Sequence, residues 1–72
     1  MIHVENYRII LALAECRCAI AETMKRCTIP EKMEMYEESV EKLSNQISRL
    51  FRSLPEPARI NPEKYFKERG EI

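Results

Sequence analysis

The 72 residues predict an all-α fold: an antiparallel hairpin of two long helices plus a short C-terminal helix, dimerising into a helical bundle. Three observations predict it. No Pro or Gly interrupts residues 3–27, and good helix formers dominate there. Apolar residues then alternate spacings of three and four from Met33 to Leu54. Between the two runs, Thr28-Ile29-Pro30-Glu31 carries a helix stop and a restart together.

The first helix is predicted over 3–27. Ile2, Ile9, Leu13, Cys16, Ile20, Met24 and Cys27 recur at spacings of three, four or seven and form its main stripe. The turn falls at 28–30, where Thr28 can cap, Glu31 completes a capping box and Pro30 suits a first turn. The second helix is predicted over 30–53. Its seam is Met33, Tyr36, Val40, Leu43, Ile47, Leu50 and Leu54, a heptad pattern for packing along another helix. Glu31, Glu34, Glu37, Glu38 and Glu41 lie early and Arg49 and Arg52 late, an order that suits the helix dipole.

A single long helix kinked at Pro30 would point the two stripes in different directions. Folding back lets them meet, so residues 1–54 read as one hairpin. The hairpin sets Lys25 and Arg26 near the acidic start of the second helix, and Glu5 near Arg49 and Arg52. Residues 55–72 form a tail. Pro55-Glu56-Pro57 cannot continue a helix and is expected to be extended or turned. Asn61-Pro62-Glu63 reads as an N-cap, a first-turn Pro and an acid, opening a helix over 62–69 that ends at Gly70. So short a helix persists only if Ile60, Tyr65 or Phe66 docks.

Size makes a lone hairpin marginal. A compact 8.5 kDa chain exposes about 4,700 Å² when folded, and two helices are less compact than that relation assumes. The first helix is also apolar on a second side, where Tyr7, Ile10, Leu11, Ala14, Cys18 and Ala21 lie. Its polar arc shrinks to Arg8, Glu15, Glu22 and Arg26, with Arg17 and Lys25 at the margins. A helix apolar on two sides needs a second partner. The chain's own tail can supply it through Tyr65 and Phe66. A second copy of the same helix is favoured, because Ala14, Cys18 and Ala21 allow close approach. Tyr7, Ile10, Leu11, Ala14, Cys18 and Ala21 are therefore the predicted self-association face, and a twofold four-helix bundle closes the assembly.

Twelve basic and twelve acidic residues cancel. That balance argues against coating nucleic acid or an anionic membrane. The apolar run from Ile9 to Ala14, broken by Glu15, is too short for a membrane span or a signal peptide. With an odd number of cysteines, a reduced, cytoplasmic setting is expected. Cys16 and Cys18 point ~200° apart on a helix and cannot share one metal ion within a chain. All three cysteines are expected to be buried as small hydrophobes, with Cys18 able to meet its own copy across a dimer axis. His3 has no Ser or Cys at helical spacing to activate, and the glutamates of the second helix lack a histidine partner. No catalytic residue, cofactor or metal site is expected, and the chain reads as non-enzymatic.

Two groupings remain. Arg49, Arg52 and Arg59, with Lys42, Lys64, Tyr65 and Phe66, form a candidate patch for an anionic ligand or a partner. Ordinary surface charge plus tail docking is the plainer reading of those residues. Met24, Met33 and Met35 cluster near the hairpin tip, with Met24 and Met33 expected in the packing and Met35 exposed. The expected function is a small protein–protein interaction module, a regulator, adaptor or inhibitor of a larger cytoplasmic protein. Size alone suggests a viral or mobile-element origin. The alternative is a homo-oligomeric binder that sequesters an anionic small molecule or nucleotide. A nucleic-acid accessory role comes third, disfavoured by the zero net charge.

Overall fold

The computed structural model describes residues 2–72. It holds four helices, α1 (Ile2–Arg26), α2 (Pro30–Arg52), α3 (Glu56–Ile60) and α4 (Pro62–Glu68), and no strand among the described residues. α1 and α2 form the predicted hairpin. Asn6 Nδ2 donates to Ser53 Oγ at 3.3 Å, and Arg17 Nη1 donates to Ser44 Oγ at 3.2 Å. Those two bonds fix the antiparallel register. The turn at residues 27–29 is the tip of the hairpin, and the start of α1 beside the end of α2 is its open end.

The seam of α2 is the predicted one. Met33, Tyr36, Val40, Leu43, Ile47 and Leu50 are half-buried, Leu54 is buried, and Met35 stands off the seam exposed. α1 departs from the reading. Its half-buried and buried positions recur at His3, Tyr7, Ile10, Ala14, Arg17, Ala21 and Met24, alternating four and three. Ile2, Ile9 and Cys16 of the predicted stripe are exposed instead. The reason is the width of the apolar arc. From Cys16 round to Val4 it covers about 240° at ~100° per residue, far more than one helix can contact. α2 settles against the middle of that arc and leaves a flank on each side.

The turn also differs in detail. Ile29, in extended conformation, is the N-cap of α2, Pro30 opens the helix, and no side chain caps it. Thr28 therefore lies one residue too early for a capping box. Between the prolines the structure forms α3 rather than an extended link. Pro55 is extended as N-cap, and Pro57 sits in the first turn, where no N–H donor is needed. α4 begins as predicted: Asn61 Oδ1 accepts from the Lys64 N–H at 3.2 Å, with Pro62 in the first turn. Gly70, at φ 71°, follows the helix end in the left-handed region open to glycine.

The core lies wholly at the open end. Val4, Ile10, Leu54, Ala58 and Phe66 are buried, and Tyr7, Ile47, Leu50 and Tyr65 pack against them. Phe66 is fully enclosed, stacked on Tyr7 with ring centroids 5.2 Å apart and met edge-on by Tyr65 at 5.1 Å. The tail thus docks on α1 through its aromatics. From residue 11 to residue 53, no described residue is fully buried.

Candidate protein interface

The tail and α2 between them leave α1 uncovered on two flanks. The first carries Ile2, 66% exposed, and Ile9, 47% exposed, together with exposed Cys16 and half-buried Leu13 and Ile20. A shallow groove runs beside it, lined by Ile9, Leu13, Gln46, Arg49 and Leu50. The second flank carries Leu11, 49% exposed, and Cys18, around a groove lined also by Ala14 and Glu15. Large apolar side chains left open side by side along a helix are the mark of an interaction surface.

The predicted self-association set divides across this geometry. Tyr7, Ile10, Ala14 and Ala21 lie on the side that packs on α2, with Tyr7 also under Phe66, so the hairpin and its tail take that part of the face. Ala14 and Ala21 are half-buried, while Leu11 and Cys18 remain open. The cysteines correct the reading more sharply. Cys16 and Cys18 are exposed and Cys27 is half-buried, all three with free thiols. The wide apolar arc explains this, because residues beyond the sector facing α2 have nothing to pack against. Cys27 Sγ approaches the Ile29 carbonyl at 3.5 Å in the turn.

The predicted anionic patch is dispersed. Phe66 is inside the core and offers no stacking face. Tyr65 lines a cleft of the tail with Pro57, Ile60, Asn61, Lys64 and Glu68. Arg49 lines the groove beside Ile9 on the hairpin, and Arg52 and Arg59 are exposed. Arg69 makes the one ion pair among the described residues, with Glu71 at 3.0 Å, and lies over the Tyr65 ring at 5.3 Å. The hydrogen bond it donates to the Glu71 carboxylate holds its guanidinium above the ordinary arginine value, so it stays cationic. Lys25 and Arg26 at the tip, and Glu5 with Arg49 and Arg52, come to no ion pair.

Among the described residues, no group of three or more His, Cys, Asp or Glu is placed to hold a metal ion. No helix among the described residues is long and apolar enough to cross a membrane. His3 is half-buried, with Nδ1 enclosed and without a hydrogen-bond partner. Sequence reading missed Arg17, which crosses the seam to Ser44 rather than standing at the edge of the polar arc. An arginine at a seam position of an otherwise apolar heptad was the available signal. No protein family, curated protein or solved structure matches the chain.

Proposed function

We propose that this chain is a small non-enzymatic interaction module: a regulator, adaptor or inhibitor that works in the cytoplasm by occupying a surface on a larger protein. The observation that carries the reading is the pair of uncovered flanks on α1, where Ile2, Ile9 and Leu11 stand open beside a hairpin already folded. Burying one such side chain contributes ~1.5–3 kcal/mol. A monomer that leaves three of them in water therefore retains a strong drive to bind. The mixed charge around the flanks suits a protein partner better than a polyanion.

The test is capture from cells of the source organism with the wild-type chain and with Ile9→Lys and Leu11→Lys. Both sites are exposed, so both variants keep the hairpin. A protein held by the wild type, lost from one variant and rebound as a purified component supports the reading. The same recovered proteins with all three chains would overturn it.

A further inference from the structure

The flank carrying Ile2, Ile9, Cys16 and Ile20 is bordered along α2 by a strip of charge. Glu31, Glu38, Lys42 and Arg49 follow one another at spacings of seven, four and seven, so they lie in line on one side of the helix, and all four are exposed. Arg49 ties the strip to the flank, because it lines the groove with Ile9, Leu13 and Leu50. Read in reverse about residue 40, the strip is its own complement. Glu31 mirrors Arg49, and Glu38 mirrors Lys42. The whole helix has the same bias: five glutamates and one lysine precede residue 42, and from there on only Lys42, Arg49 and Arg52 are charged.

We infer that the tipward part of this flank, from Leu13 to Met24, is the seat of a second copy of the chain, docked with the hairpin tips at opposite ends. A twofold axis crossing the flank at the level of residue 40 lays α2 antiparallel on its copy and α1 on its copy. Glu31 of each chain then meets Arg49 of the other, and Glu38 meets Lys42. The Arg17–Ser44 bond sets the level of α1. One turn toward the tip brings Ile20 beside Val40, so Ile20 sits on the axis and faces its own copy. Leu13, Cys16, Met24 and the open Met35, 65% exposed, extend the contact along the face.

The area fits. The chain exposes 5598 Å², about 900 Å² above a compact chain of its mass, and a standard interface buries about 800 Å² on each partner. Its radius of gyration is 15.0 Å, against about 11 Å for a compact domain of this length. The overlap runs along α2 from Glu31 to Arg49, ~27 Å at 1.5 Å per residue, and does not reach the tail. The opposite flank, around Leu11 and Cys18, stays free for a foreign protein, so the inference rests on the interaction-module reading and refines it.

Sedimentation equilibrium from 1 to 100 µM tests it, with helical circular dichroism as the check on folding. The wild type is expected to be a dimer. Lys42→Glu with Arg49→Glu, or Glu31→Lys with Glu38→Lys, should weaken it about tenfold to a hundredfold, because four attractions become repulsions. All four reversals together should restore it. In a cysteine-free background, Ile20→Cys should form an interchain disulfide on oxidation, whereas Ile9→Cys should not. A wild type that stays monomeric at 100 µM overturns the inference, as does a dimer indifferent to both charge pairs or one that fails to cross-link at residue 20. A monomer that still captures a foreign protein overturns it while leaving the interaction-module reading in place.

Discussion

The two ends of the hairpin are built from similar sequence and held in different ways. At the open end the tail folds back so that Phe66 of α4 stacks on Tyr7 of α1, and five apolar side chains are buried. Toward the tip the same two helices touch along an unbroken heptad seam, yet no side chain between residues 11 and 53 is fully buried. Two cylinders in contact along a line shield each other on one side only. A third element is needed to close the interior. The tail supplies it at one end of the rod. The other end has none in the chain itself, and the flanks run on toward it from Ile2, Ile9 and Leu11 near the open end to Cys16, Cys18 and Met35.

Substitutions break this comparison in a definite order. The largest effect is expected from Phe66→Ala, which empties the one fully enclosed large side chain and unstacks Tyr7. It should cost ~3–5 kcal/mol, enough to detach the tail and drop the melting temperature steeply in a circular dichroism scan. Ile47→Asp follows. Ile47 packs against the core, so a carboxylate there is poorly hydrated, whereas Leu43→Asp, beyond the core, should be milder. Thermal melts of the pair read the difference directly, and equal loss in both would mean that the seam is uniform. Asn61→Ala removes the cap of α4 and should cost ~1 kcal/mol, seen as a lowered urea midpoint with an unchanged slope. Smallest of all is Arg69→Gln. Its guanidinium is exposed although the Glu71 side chain it meets is only 9% exposed, and the melting temperature should fall only slightly.

α2 was legible in full because its apolar stripe is narrow. Seven residues at alternating spacing leave one orientation that buries them, and the fold adopts it. The tail helix was legible for a similar reason, since Asn61, Pro62 and Gly70 each favour one helix position. α1 was not. An apolar arc of about 240° is compatible with many rotations about the helix axis, and periodicity cannot choose among them. What chose was the docking of Tyr7 under Phe66, a long-range contact with no local signature. The same ambiguity misplaced Cys16 and Cys18 in the interior. α3 was hidden by its prolines, which break helices in their middles and are accommodated in their first turns. The candidate interface was legible as a second apolar side of α1. Its division among α2, the tail and solvent required the structure.

The central claim is that the open end is held by the chain's own core and the tip half by another copy. Amide hydrogen exchange at two protein concentrations tests it most directly, because it reads the stability of each helical turn separately. Helix amides of residues 13–24 and 33–44 should exchange quickly at 1 µM and slow at least tenfold at 200 µM. Those of α1 near Tyr7 and of α4 near Phe66 should change far less. Protection that is uniform along the hairpin and the same at both concentrations would contradict the account.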